Sequence, residues 1–140
     1  ILWSADLIVY TANDEHVIKT IYDPSPVGFK HPPSHAFTRF TTTGEYVSTL
    51  SQINGEWDSS LKGWNFYTDS SKNKTIFFPA SGYRGYSGGG AIGVGSYGYC
   101  WSAVPSSQYC GRSLGFYSSV VSPLNNSFRA FGFGVRSSQE

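Results

Sequence analysis

Three histidines, nine carboxylates and two cysteines are the side chains of this 140-residue chain that could do acid–base, metal or nucleophilic chemistry. Their spacing argues against all three. His31 and His35 stand four apart, the separation at which one helix face presents two metal ligands, but Pro32 and Pro33 lie between them and break that face. They read as surface histidines. Asp14-Glu15, Asp23, Glu56 and Asp58 are acidic, and the sequence sets no partner beside any of them for paired-carboxylate work. Cys100 or Cys110 as a nucleophile would want a histidine base, and every His lies at or before position 35. The two cysteines flank an expected turn, a spacing that suits a disulfide or two separate thiols, and they are too few for a Cys-rich zinc site. Gly88-Gly89-Gly90 precedes no helix and has no Lys-Ser/Thr after it, so it is not a phosphate loop; Gly82-x-x-Gly85 fails as a dinucleotide fingerprint for the same reason. Asn73-Lys74-Thr75 and Asn125-Asn126-Ser127 match a glycosylation sequon, which matters only in a secreted eukaryotic protein. No catalytic residue, cofactor or metal is expected.

Charge is distributed unevenly. All five Lys, all three His and every Asp and Glu except Glu140 lie before Ser81. From Ser81 to Arg136 there is no Lys, Asp, Glu, His, Thr or Met, and Tyr, Ser, Gly and Phe fill the space with Arg84, Arg112, Arg129 and Arg136 among them. Tyr gives large amphipathic contact area with few torsions to freeze, and Ser and Gly give adaptable hydrogen bonding and shape, which is how antibody paratopes are built. The second half therefore reads as a contact surface, against the plainer reading that Tyr and Ser decorate a solvated sheet. A net charge of +1 steers the chain to neither nucleic acid nor anionic lipid. No apolar run approaches the ~20 residues of a membrane span, and no signal peptide is visible. The chain begins at Ile1 rather than Met, as expected of a fragment or a processed product.

The elements that must carry this surface are mostly strands. Residues 1–10 are β-branched and aromatic, a strand candidate. Residues 22–28 form a turn with two prolines. Ser34 is placed to N-cap a short helix through about Thr41 that buries Ala36, Phe37 and Phe40, with Gly44 stopping it. Residues 63–67 and 75–79 read as a hairpin joined by the polar loop 68–74. Residues 97–104, 112–117 and 129–136 read as antiparallel strands. In 112–117, Leu114 and Phe116 fall on a core face while Ser113, Gly115 and Tyr117 fall on the other. Phe131, Phe133 and Val135 would share a face of the last strand, with the direction of Phe131 left open.

Several segments in order carry a family resemblance: 22–29, then Pro32-Pro33 with an aromatic helix, Ile76-Phe-Phe-Pro-Ala-Ser-Gly-Tyr-Arg84, Gly98-Tyr-Cys-Trp-Ser-Ala-Val-Pro105, Gly111-Arg112, and Arg129-Ala-Phe-Gly-Phe-Gly-Val-Arg136. Together they resemble the C-type-lectin-fold variable proteins of diversity-generating retroelements from gut bacteria and their phages, over nearly the whole chain. The resemblance implies one α+β domain over residues 1–140, with one or two short helices on a twisted antiparallel sheet and the termini paired as strands. It implies codons rewritten at adenines, and a ligand-binding set within residues 81–136: Gly85, Tyr86, Ile92, Gly93, Tyr97, Tyr109, Cys110, Ser113, Gly115, Tyr117, Val120, Ser122, Ser127, Phe128 and Phe131. It implies a fixed frame of Trp101, Leu114, Phe116, Pro123, Leu124, Arg129, Phe133, Val135 and Arg136. Cys100 stands where the family usually has an aromatic, and Gly134 where it has Ser. No calcium-type sugar motif is present.

The implied function is recognition of a protein or glycan ligand by a domain displayed on a cell surface or phage particle, without nucleic acid and without membrane insertion. The rivals are a glycan-binding lectin without diversification, a structural pilus or adhesin module, and an enzyme related to the formylglycine-generating group, which would need a reactive cysteine arrangement.

Overall fold

Aromatic and β-branched residues at every second position favour strands, and strands make up most of the regular structure. A computed structural model describes residues 17–139. In order these are β1 (Phe29–Lys30), two 3-10 helical segments at Ser34–Phe40 and Leu50–Gln52, β2 (Gly55–Asp58), β3 (Gly63–Tyr67), β4 (Thr75–Pro79), β5 (Tyr83–Arg84), β6 (Ala91–Ile92), β7 (Gly98–Pro105), β8 (Cys110–Tyr117), β9 (Val120–Phe128), β10 (Gly134–Val135) and β11 (Ser138–Gln139). The architecture is α+β in layout, short helical segments on mainly antiparallel sheets. The strand expected over residues 1–10 lies outside the described residues, as do Asp14-Glu15. Among the described residues no helix is long and apolar enough to cross a membrane.

The hairpin expected at 63–67 and 75–79 forms over those residues, with Thr68 N–H donating to Lys74 O across its loop at 3.0 Å. β2, absent from the sequence reading, adds to the free edge of β3 and completes a three-stranded meander. The larger sheet has the order β10-β7-β8-β9. The β7 and β8 strands were expected, and Leu114 and Phe116 do point into the core, at 0% and 2% exposure.

Three expectations are corrected. The helix is a 3-10 segment ending at Phe40; no side chain caps it, Pro33 occupies the N-cap, and Ser34 is buried instead. At three residues per turn, Ser34, Phe37 and Phe40 share one face and are buried, leaving Ala36 exposed. Gly44 turns the chain beyond it at φ +76°. Second, residues 129–136 do not form one strand: Gly134–Val135 pairs parallel to β7, and Gly132 makes a separate antiparallel bridge with Arg84. Third, β9 was unforeseen. Pro123 removes a ladder donor and hides the strand in the sequence, but the register slips there, from Ser113↔Asn125 to Gly115↔Ser122, so the proline sits at a bulge that needs no donor.

The two sheets share one core. Phe66, fully buried on β3, stacks on Phe40 at 4.0 Å and meets Phe116 of β8 edge-on at 6.0 Å. Trp64 Nε1 donates to Tyr117 O at 2.9 Å, a second tie between the sheets. β11 pairs antiparallel with β1; the first strand of the expected pairing of chain ends lies outside the described residues. Beneath that pair lies a polar node that the sequence reading missed. His31, expected at the surface, is fully buried, and its Nδ1 lies 2.9 Å from Asp23 Oδ1. Asp23 thus has the partner the sequence did not reveal. His35 is exposed.

Candidate functional site

Alternation along β7 sends Cys100 to the core and Tyr99 and Trp101 to the opposite face of the large sheet. Across the ladder Tyr99 faces Gly115 and Trp101 faces Ser113, so small residues on β8 leave room for large rings on β7. A Cβ on Gly115 would come within 2.8 Å of Tyr99 Cε1. On this floor an aromatic layer builds outward. Phe133 stacks on Tyr99 at 4.6 Å and on Trp101 at 4.4 Å; Phe131 lies nearly parallel to Phe133 at 5.7 Å; Tyr83 meets all of Tyr99, Phe131 and Phe133 edge-on. Phe131 therefore points the same way as Phe133, which answers the question the alternation left open. Tyr86 and Phe128 close on Phe131 from outside.

Burial falls steadily along this stack, from Trp101 at 4% exposed to Tyr86 at 66% and Phe128 at 57%. The outer end holds a hollow of about 350 Å³ lined by Tyr86, Tyr109, Phe128 and Ala130. Tyr109 is held there by Arg129, whose Nη2 donates to Ser107 O at 2.8 Å and Nε to Cys110 O at 3.2 Å, tying the β7–β8 turn to the end of β9. Arg136 donates to Phe77 O and lies over the Phe78 ring at 4.7 Å, bracing the segment after Phe133 against the other sheet. Both arginines thus behave as frame, as do Trp101, Leu114, Phe116 and Pro123, which are buried. Leu124 and Phe133 are half-buried and Val135 is exposed.

The structure divides the sequence-derived site set. Tyr86, Tyr109, Phe128 and Phe131 come together at one end of the aromatic face, with Cys110 half-buried opposite Phe128. Tyr97 and Tyr117 meet edge-on at 5.7 Å at the other end of β8, about 23 Å along the strand. Ile92 is exposed on β6 beside Gly85, and Ser122 is half-buried on β9. Four others are not exposed to a ligand: Ser113, Gly115, Val120 and Ser127 are buried. Ser113 Oγ lies 3.0 Å from Ser127 Oγ, which also accepts from Asn125 Nδ2, so alternation sent Ser113 away from the core but under the rings rather than into solvent. Gly93 is a correction of a different kind. It holds φ +68°, and a Cβ there would stand 2.2 Å from Tyr97 Cδ2, so this backbone demands glycine.

No family model, curated protein or solved structure matches this chain.

The site residues the sequence reading missed are Tyr83, Tyr99 and Ala130. A signal for Tyr99 was present: Tyr97, Tyr99 and Trp101 follow a period of two, which puts all three on one face. Electrostatically the face is quiet. Burial, and then the neighbouring Tyr83, Tyr97 and Tyr117, raise the Tyr99 hydroxyl, which stays neutral.

The cysteines are settled by register. Cys100 lies opposite Leu114, four residues along β8 from Cys110, a separation of about 13 Å, where a disulfide needs Cα atoms within about 7 Å. Both are free thiols. Burial pushes Cys100 up to about 11, against a smaller downward pull from Arg136. A thiol-reactive dye at pH 8 is therefore expected to label Cys110 under native conditions and Cys100 only after unfolding. Rapid native labelling of both would overturn this placement.

Proposed function

We propose that this domain is a ligand-recognition module of C-type-lectin type, its aromatic face being the surface that a diversity-generating retroelement rewrites. One observation carries the reading: the hollow at the outer end of the aromatic stack is lined by Tyr86, Tyr109 and Phe128, three of the positions that the family resemblance implies are diversified. Exposed rings backed by a braced frame give a preorganised patch, in which little conformational entropy remains to be lost on binding. Aromatic anchors of this kind dominate interface energetics. Among the described residues no carboxylate lines the hollow, and the Cys100 thiol beneath the sheet is raised by burial and a weak nucleophile at neutral pH; both favour binding over catalysis. Display on a cell surface or a phage particle, toward a protein or glycan partner, follows from the same reading.

The test needs no known ligand. Randomising Tyr86, Ile92, Tyr97, Tyr109, Tyr117 and Phe128 together should leave most library members folded, since exposed positions cost within about 0.5 kcal/mol each. Selection from that library should yield binders to unrelated proteins. A library that is mostly unfolded, or folded yet barren against several targets, would sink the proposal. The diversification half has its own check in the neighbouring DNA: a template repeat covering the codons for residues 85–131 that differs only at adenines.

A further inference from the structure

A second hollow, of about 740 Å³, shares no residue with the aromatic face. One wall comes from the first 3-10 segment and the turn after it, with Arg39 and Thr42; the other from the end of β3 and the β3–β4 loop, with Tyr67, Asp69, Ser70 and Lys72. Its chemistry is the reverse of the aromatic face. Arg39 and Lys72 reach it from segments far apart in sequence, and among the described residues no carboxylate pairs with either. The carboxylate in the hollow, Asp69, is turned onto its own loop, accepting from Ser71 Oγ at 2.8 Å and Asn73 N–H at 3.1 Å. The hydroxyls of Thr42 and Ser70 make no hydrogen bond among the described residues. The Tyr67 hydroxyl is fixed by donation to Glu56 Oε1 at 2.9 Å, while the Lys72 ammonium lies 5.5 Å from its ring centroid.

Two cations without an ion-pair partner among the described residues, unengaged hydroxyls and a held aromatic ring around one polar concavity describe a particular ligand. We propose that this hollow binds an acidic saccharide, its carboxylate or sulfate held between Arg39 and Lys72 and its hydroxyl groups met by Thr42 and Ser70. A neutral sugar would leave both cations idle. A nucleic acid needs a basic stripe that tracks many phosphates, and two cations do not make one. The site stands apart from the proposed recognition face and does not depend on it.

Calorimetric titration of the whole chain with four probes tests this: a galacturonic acid trimer, a sulfated disaccharide, maltotriose and inorganic sulfate. The expected result is binding of at least one acidic sugar, tenfold or more above maltotriose and sulfate and weakened by 0.5 M salt. Which acidic sugar binds tells whether the natural oxyanion is a carboxylate or a sulfate. The double variant Arg39→Ala, Lys72→Ala should lose at least tenfold in affinity, and Tyr86→Ala, Tyr109→Ala should lose none. Both residues of the first pair are exposed, and circular dichroism is the check that the variant remains folded. No binding of either acidic sugar, equal binding of maltotriose or of bare sulfate, or unchanged affinity in the double variant would each overturn the proposal.

Discussion

Phe66→Ala is expected to cost about 3–5 kcal/mol of folding stability, measured as a shift of the urea midpoint at unchanged slope. The ring is fully buried and is the piece that three elements share. It stacks on Phe40 of the helical segment, lies nearly parallel to Trp64 at 5.6 Å, and meets Phe78 and Phe116 edge-on. Removing it leaves a cavity that β3 cannot collapse into, because both of its edges are already paired with β2 and β4. The loss should reach the recognition face as well. Phe116 borders the cavity, and the next residue on β8, Tyr117, is tied to the same core through Trp64 Nε1. A cost below about 1 kcal/mol would mean that the two sheets do not share this core.

Asp23→Ala is expected to cost on the order of 3 kcal/mol, because it strands three donors at once. Asp23 Oδ2 accepts from His31 N–H at 2.8 Å, and Oδ1 accepts from Ser25 N–H at 2.8 Å and meets His31 Nδ1 at 2.9 Å. An ionised carboxylate can only accept, so the Nδ1 proton lies between the two side chains. Burial raises the Asp23 carboxyl, but the hydrogen bonds from His31 and Ser25 outweigh it and hold the pKa at about 2, below the ordinary 3.8. The sign follows. The folded state binds this proton more weakly than the unfolded state does, so the contribution is complete above about pH 4 and fades as pH falls toward 2. Its size is on the order of 2 kcal/mol. The stability difference between the native chain and Asp23→Ala, followed from pH 6 to pH 2, should shrink across that window. A difference that stays constant, or that shrinks only above pH 5, would remove Asp23 as the cause. The node also ties into the β1–β11 pair, since Ser137 Oγ donates to Ser25 Oγ at 2.8 Å next to that ladder.

What the sequence determined is what short-range chemistry controls. The hairpin of β3 and β4 was legible because two alternating aromatic runs flank a polar loop. The core direction of Leu114 and Phe116 was legible because a strand alternates with period two whatever it packs against. The absence of Lys, Asp and Glu from Ser81 to Arg136 needed no fold at all, and it marked the half that carries the aromatic face.

The tertiary structure decided what depends on partners distant in the chain. The strand expected over 129–136 shrinks to β10, whose parallel pairing exists because β7 offers it a free edge. β9 was hidden by Pro123, harmless only because a bulge removes the need for its donor. His31 reads as solvated from the sequence, yet in the fold it is fully buried and held by Asp23. The site itself shows the same limit. Alternation gave Ser113 and Gly115 the right face, but only the stacking of Phe133 and Phe131, delivered from the chain's end onto Tyr99 and Trp101, turned that face from an open surface into a covered floor. Pattern fixes which way a side chain points, and only packing decides whether anything lies on top of it.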